Sequence, residues 1–151
     1  MKVSLGDVID EYLIQEEARE RNSEYFTNLP LWALDKFGVV LYWKQEEMAF
    51  SLVENHDTAV KAGHGVGKSF FAALAVCWWI DTRPIEKVFA ATTAPSQDQV
   101  AGILWREIRR FWALRHKLAK ADKTGNYNPL PGYITRDTKW KGDLGEHLAD
   151  G

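Results

Sequence analysis

Apolar side chains recur at helical spacing near the amino terminus. In residues 5–20 they fall on one side of a helix, and acidic side chains fall on the other. The apolar set consists of Leu5, Val8, Ile9, Tyr12 and Leu13. Ser4 stands in the N-cap position, where its hydroxyl would accept a backbone N–H. The pattern therefore predicts an amphipathic first helix.

Two shorter helices follow. Pro30 begins the first, over residues 30–37, and Gly38 ends it, in agreement with the preference for proline at helix starts and glycine just after helix ends. The second is predicted over residues 43–54. Its inward-facing side chains would be Met48, Leu52 and Val53.

From residue 58 onward, short β segments alternate with helices. Strands are predicted over residues 58–62 and 87–92, and helices over residues 68–80 and 96–117. The remainder, residues 121–151, is rich in glycine and proline and is predicted to be mostly irregular, with a short strand near 133–136. This alternation is typical of an α/β fold in which helices flank a parallel sheet.

Composition restricts the class of protein. The chain has 151 residues, 46% of them hydrophobic, which is enough to bury the core of one domain. The longest apolar run, residues 70–80, is about half of the ~20 residues that a membrane-spanning helix needs, so we expect no membrane association. A single cysteine, Cys77, leaves no disulfide framework and fits a reducing cytoplasm. The four histidines lack metal-ligand spacing.

Charge is divided unevenly along the chain. Residues 1–60 hold 5 Lys/Arg and 12 Asp/Glu, a net charge of −7, whereas residues 61–151 hold 14 and 9, a net charge of +5. Most of the positive excess lies between Arg106 and Lys123, largely on the last predicted helix. Such a basic face could track DNA phosphates, form a subunit contact, or be a solvated surface.

The most specific pattern is a glycine loop between the first predicted strand and the apolar helix. Its residues are Ala62, Gly63, His64, Gly65, Val66, Gly67, Lys68 and Ser69. Phosphate-binding loops read G-x-x-x-x-G-K-[ST], and this segment matches the last three positions, with Ala62 in place of the first glycine. Small residues let main-chain amides surround triphosphate oxygens, while the helix N-terminus attracts the anion.

The loop predicts a site for ATP and Mg²⁺. Residues 63–69 would bind the phosphates, with the Lys68 ammonium in the catalytic role beside the β- and γ-phosphates and the Ser69 hydroxyl as a Mg²⁺ ligand. The alternative is a glycine-rich turn that only joins a strand to a helix.

Together with four other segments, the loop resembles the start of the ATPase domain of a tailed-bacteriophage terminase large subunit, the motor that pumps DNA into a procapsid. The segments are Tyr-Trp-Lys-Gln at 42–45, Thr-Ala-Pro at 93–95, Leu-Trp-Arg-Glu at 104–107 and Leu-Pro-Gly at 130–132. The resemblance implies a helical N-terminal extension over residues 1–40 and the N-terminal portion of a P-loop ATPase domain, with an incomplete parallel sheet, over residues 41–151.

Three further roles follow from the resemblance. Gln45 would read the adenine edge, and its alternative is an ordinary polar residue in the first turn of a helix. His64 occupies the part of the loop where many terminases carry an arginine that senses the γ-phosphate; Lys61 is the nearest cation. The corner at residues 93–99 would lie near DNA, whereas Ser96 and Gln99 also fit a helix-capping box.

The resemblance also implies parts that this sequence lacks. A Mg²⁺-holding strand that ends in Asp, followed by a Glu that orients water, is not found, because the run that ends at Asp81 belongs to the helix after the loop. We expect that strand beyond Gly151, with a nuclease domain later still. This chain alone would then turn over ATP poorly and be marginally stable or self-associating.

The partners implied by the resemblance are double-stranded DNA, the portal protein, the small terminase subunit and further copies of the chain in a ring, all in the host cytoplasm. Two alternatives stay open. One is another P-loop DNA motor, such as a helicase-like ATPase. The other is a non-catalytic remnant that binds nucleotide weakly or not at all.

Overall fold

Helices form most of the first half of the protein. A computed structural model describes residues 3–61, 63, 67–125 and 127–151, and for residues 14–22 it describes the helix backbone. The helices are α1 (Leu5–Thr27), α2 (Leu29–Phe37), α3 (Trp43–Glu54) and α4 (Lys68–Asp81). Within this described part of the chain, no helix is both long enough and apolar enough to cross a bilayer.

The second half combines one long helix with short strands. A 3₁₀ turn (Ile85–Lys87) leads to β1 (Ala90–Ala91). The helical part consists of α5 (Gln97–Gln99), a π-helical segment (Val100–Leu104) and α6 (Trp105–Ala121). The last strands are β2 (Tyr133–Ile134), β3 (Lys139–Lys141) and β4 (His147–Asp150). The fold is therefore mixed α/β.

The sheet has the strand order β1-β4-β3-β2. Strand β1 pairs in parallel with β4, Ala90 opposite Ala149 and Ala91 opposite Asp150, whereas β3 is antiparallel to both of its neighbours. The expectation of a parallel sheet holds for one pair among the described strands. Tight turns join β2 to β3 and β3 to β4, and such short connections allow only antiparallel neighbours.

The carboxyl-terminal tail is more ordered than predicted. Strand β2 confirms the short strand near 133–136, but β3 and β4 fall in a region that was predicted to be irregular. A four-residue turn joins them: the Gly142 N–H donates to the Glu146 carbonyl at 2.8 Å, and the Gly145 N–H donates to the Gly142 carbonyl at 3.0 Å. Leu148 and Ala149 of β4 are fully buried, so this tail contributes to the core.

Two predicted strands are corrected. Residues 58–61 form no strand, and residue 62 lies outside the described residues. No described strand lies beside residues 58–61 to supply the ladder that an extended segment needs. The strand predicted over residues 87–92 shortens to Ala90–Ala91, because only these two residues pair with β4 and Lys87 ends a 3₁₀ turn.

The predicted helices are confirmed, and most of them extend beyond the end predicted for them. Ser4 caps α1: its Oγ accepts the Asp7 N–H at 3.2 Å, and the Asp7 carboxylate accepts the Ser4 N–H at 3.1 Å. The Ser4 hydroxyl also donates to the Asp7 carboxylate at 2.7 Å, and this bond, followed by the one from the Ser4 N–H, lowers the pKa of Asp7. Gly38, with a φ of 67°, ends α2 as expected. Ser96 accepts the Gln99 N–H at 3.3 Å, as a helix cap does.

The inward face of α3 differs from the prediction. Gln45 and Ala49 are its buried residues, whereas Leu52 and Val53 are exposed and Met48 is half-buried. Residues 45 and 49 are one helical turn apart and so share a face. Helix α2 packs on α3, and this contact rather than the apolar pattern decides which side is covered.

Tryptophans tie the core together. Trp32, Trp105 and Trp140 are fully buried, and α4 packs chiefly against α6. The Trp105 Nε1–H donates to the Thr92 hydroxyl at 2.9 Å, and the Trp140 Nε1–H donates to the Pro131 carbonyl at 2.7 Å. The indoles of Trp105 and Trp140 therefore fill volume in the core, and each also donates a hydrogen bond to a hydroxyl or carbonyl oxygen of another segment.

A charged cluster joins α2, α4 and α6. The Asp81 carboxylate accepts the Trp32 Nε1–H at 2.8 Å and lies 3.4 Å from the guanidinium of Arg115. The Arg115 Nε–H also donates to the Asn128 carbonyl at 2.6 Å. Because the Arg115 side chain is only 2% exposed, these partners replace the water that would otherwise solvate its guanidinium.

Candidate functional site

A left-handed glycine precedes the Lys-Ser pair at the start of α4. Gly67 is the N-cap residue, with φ 76° and ψ 27°, the left-handed conformation that glycine adopts at no steric cost. Its carbonyl accepts the Phe71 N–H at 2.9 Å, which closes the first helical turn. Lys68 and Ser69 therefore stand in the first turn of α4, where amides point away from the helix and attract anions.

Gln45 of α3 lies against Gly67. The residue is only 6% exposed, and its Oε1 accepts the Tyr42 N–H at 3.4 Å. Its Nε2 lies 2.8 Å from the point that a Cβ on Gly67 would occupy. The start of α3 and the start of α4 therefore lie against each other, and a larger residue at position 67 would displace the end of the Gln45 side chain.

A cavity of about 320 Å³ lies beside Lys68. Helix α3, the segment 58–61 and the first residue of α4 line it: Tyr42, Trp43, Lys44, Glu47, Met48, Ser51, Thr58, Ala59, Val60, Lys61 and Lys68. Small-molecule sites commonly occupy about 300–1,000 Å³. A hydrogen bond of 3.0 Å between the Ser51 and Thr58 hydroxyls holds the segment 58–61 against α3.

The cavity combines an aromatic wall with cationic groups. Trp43 is 66% exposed, and the Lys44 ammonium lies 5.0 Å from the centre of its ring. Lys61 and Lys68 add two further ammonium groups to the lining. An exposed aromatic face can stack on a flat ring, and ammonium groups attract anions. The lining therefore suits a ligand that carries both an aromatic ring and negative charge.

The structure brings together some of the predicted site residues. Gln45 and Gly67 are in contact, and Lys68 lines the cavity with Lys61. Neither Ser69 nor Gln45 is among the lining residues, so the Mg²⁺ role of Ser69 and the adenine role of Gln45 stay predictions. Gly63 is described and exposed. The remaining predicted loop residues, His64, Gly65 and Val66, lie outside the described residues.

No protein family, curated protein or solved structure matches this chain. The site therefore rests on the geometry and chemistry of its own residues.

Trp43 and Glu47 also line the cavity, although the sequence pattern predicted no role for either. The available signal was the aromatic pair Tyr42 and Trp43 at the start of a predicted helix. Among the described residues, no group of three or more His, Cys, Asp or Glu is placed to hold a metal ion.

Proposed function

We propose that this chain binds ATP at the start of α4 and is the ATP-binding portion of a DNA-packaging motor of the terminase large-subunit type. One observation carries the nucleotide proposal: a left-handed Gly67 leads directly into Lys68, and Lys68 lines a cavity of about 320 Å³. A glycine turn that only joined two elements would need neither the lysine nor the cavity beside it.

The described residues fit a nucleotide in size and charge. In this proposal, the Lys68 ammonium neutralises the β- and γ-phosphates, and the N-terminus of α4 adds the positive end of its helix dipole. The Ser69 hydroxyl would hold Mg²⁺. Bound ATP would supply the free energy of hydrolysis to the motor. Gln45 lies against Gly67, and its Oε1, which accepts the Tyr42 N–H, would accept a second hydrogen bond from the adenine amino group.

The motor class rests on the resemblance of the sequence segments. Three of them lie at element boundaries: residues 42–45 at the start of α3, residues 93–95 after β1, and residues 104–107 at the start of α6. Double-stranded DNA, the portal protein, the small terminase subunit and other copies of the chain are the partners that this proposal includes.

Isothermal titration of the chain with Mg-ATP tests the nucleotide proposal. Because a charge-assisted hydrogen bond contributes about 1.5–3 kcal/mol, Lys68→Ala should weaken binding by roughly 10- to 100-fold. Lys87→Ala is the matched control, since it removes an exposed ammonium group that lies outside both the cavity lining and the loop motif; it should leave the affinity unchanged. Equal affinities for wild type and Lys68→Ala would contradict the proposal.

The motor class needs a separate experiment. The chain would be combined with the product of the neighbouring reading frame and tested for ATP turnover with double-stranded DNA and with procapsids. Uptake of DNA into procapsids supports the terminase proposal. Strand separation without uptake would favour a helicase-like motor, and nucleotide binding without turnover would favour a non-catalytic remnant.

A further inference from the structure

The first turns of α1 present an apolar face to solvent. Its side chains are 49–76% exposed: Leu5, Val8, Ile9, Tyr12 and Leu13. The contacts that hold α1 are made near its other end, where the Tyr25 hydroxyl donates to Asp35 at 2.7 Å and the Tyr25 carbonyl accepts the Trp78 Nε1–H. Exposed apolar faces of this kind mark interaction sites in soluble proteins. We refer to residues 3–13 as the α1 arm.

Acidic residues border the α1 arm. Asp10 and Glu11 lie on the two sides of the apolar face, and Asp7 lies behind it. Over its whole length, α1 contains seven acidic and two basic residues. The surface that covers the arm should therefore be partly apolar, with a basic border.

A surface with these properties lies on the same chain, along the start of α6. It is an open groove of about 450 Å³, lined by Ala101, Gly102, Arg106, Arg109, Arg110 and Ala113. Helix α6 contains six basic residues and one acidic residue, Glu107. Arg109 is held by the Thr135 carbonyl at 3.0 Å, and Arg110 pairs with Glu107 at 3.0 Å while its side chain stays 73% exposed. We refer to this surface as the α6 groove.

We propose that the α1 arm of one copy of this chain docks in the α6 groove of a second copy. The charges decide between this contact and a symmetric pairing of two α1 arms, because a symmetric pairing would place like charges side by side. Arm and groove are different surfaces, so two copies either exchange arms about a two-fold axis or join head-to-tail, which leaves one arm and one groove for further copies. Both arrangements contain the same arm–groove contact, and association increases as concentration rises.

Sedimentation velocity of the full chain tests the contact, and nucleotide is left out so that the result does not depend on the ATP site. Wild type should associate as its concentration rises. Association should weaken in 1 M salt, where the Debye length falls to about 3 Å from about 10 Å at 0.1 M. A wild-type chain that stays monomeric at low salt would overturn the proposal.

Charge reversal identifies the two surfaces. The double variant Asp10→Lys with Glu11→Lys reverses the charge of the α1 arm. The double variant Arg106→Glu with Arg110→Glu reverses the charge of the α6 groove. Each double variant alone should associate at least about tenfold more weakly than wild type, because two contacts become repulsive. An equimolar mixture of the two should associate again, since every arm then meets a groove of opposite charge.

The controls separate this contact from its alternatives. Lys87→Glu with Lys123→Glu changes the net charge by the same amount as the groove variant at exposed positions outside both surfaces, and should associate like wild type. Circular dichroism and thermal melting establish that each variant is folded. If the groove variant associates as wild type does while the arm variant does not, the arms pair with each other and the proposal is wrong. A mixture that stays monomeric overturns it as well.

Discussion

The side-chain amide nitrogen of Gln45 lies 2.8 Å from the point at which a Cβ on Gly67 would sit. The first turn of α3 therefore lies directly against the N-cap residue of α4, whose left-handed conformation glycine adopts at no steric cost. This packing puts the α3 wall of the cavity next to the lysine of the motif. Residue 67 combines a φ of 76° with the lack of a side chain, and a Cβ there would displace the end of the Gln45 side chain.

Gly67→Ala should lower the free energy of unfolding by about 1–2 kcal/mol, because a side chain in the left-handed region costs that much. It should also weaken Mg-ATP binding, since the strained turn reorients Lys68. Gly102→Ala is the control: apart from its chain neighbours and the backbone of its own helix, no atom lies within 4 Å of a Cβ there, and the residue is in a helical segment. That change should raise stability by up to about 1 kcal/mol. Urea unfolding measures the change in unfolding free energy for both variants. Equal changes in the two variants would contradict the role given to the left-handed conformation of Gly67.

Arg115→Met should destabilise the protein by about 3 kcal/mol, because it leaves the Asp81 carboxylate without its cation in a largely buried site. It also removes the donor to the Asn128 carbonyl. The matched control is Arg110→Met on the same helix: the Arg110 side chain is 73% exposed, against 2% for Arg115, so its pair with Glu107 should contribute about 0–1 kcal/mol. The two unfolding free energies in urea give the comparison. Similar losses in both variants would show that the buried cluster does not stabilise the fold.

Cys77 should make stability fall as pH rises above about 8.5, the pKa of an unperturbed thiol. Burial raises the pKa of Cys77, and the negative charge of Asp81 raises it further. The folded protein then keeps the thiol proton that the unfolded chain loses, so the unfolded state binds fewer protons and stability declines by up to about 1.4 kcal/mol per pH unit.

Cys77→Ala isolates this effect from other titrating groups. The variant should be less stable than wild type at pH 7, because it leaves a cavity in the core, and the difference should shrink between pH 8.5 and 10. Unfolding free energies in urea at each pH give the difference. A constant difference across this pH range would show that the folded thiol ionises as readily as the unfolded one.

Gly132→Ala should cost more stability than Gly125→Ala. Both residues have a positive φ, but only at position 132 would a Cβ overlap the carbonyl of Lys141 in β3, whereas position 125 has open space. The first change should therefore cost about 3 kcal/mol, the sum of backbone strain and overlap, and the second about 1–2 kcal/mol. Thermal unfolding measures the difference. Equal losses would mean that β3 shifts without cost.

Helices were predictable because their signals are local. Ser4, Pro30 and Gly38 mark helix boundaries within a few residues of the apolar pattern, and the structure confirms each boundary to within a turn. The face that each helix buries was less predictable. Leu52 on α3 has the spacing of a core residue but is exposed, because burial depends on which neighbouring helix packs there.

Strands were predicted poorly because they are short and depend on distant partners. Strand β4 has four residues, and its pairing with β1 joins residues about sixty positions apart. The glycines of the turn between β3 and β4 were visible in the sequence, but two flanking segments of three and four residues gave too short a pattern to be recognised. At the site, Lys68 and Gly67 could be predicted from their motif, whereas Trp43 required the packing of α3 beside the loop.

The central claim is that the start of α4 and Lys68 hold a polyphosphate, and affinities for adenosine, AMP, ADP and ATP test it most directly. For wild type, affinity should rise with each phosphate, with the largest step where the phosphate reaches Lys68. In Lys68→Ala that step should shrink by roughly 10- to 100-fold while adenosine binding stays unchanged. Equal affinities for adenosine and ATP in the wild type, or the same phosphate dependence in both proteins, would contradict the claim.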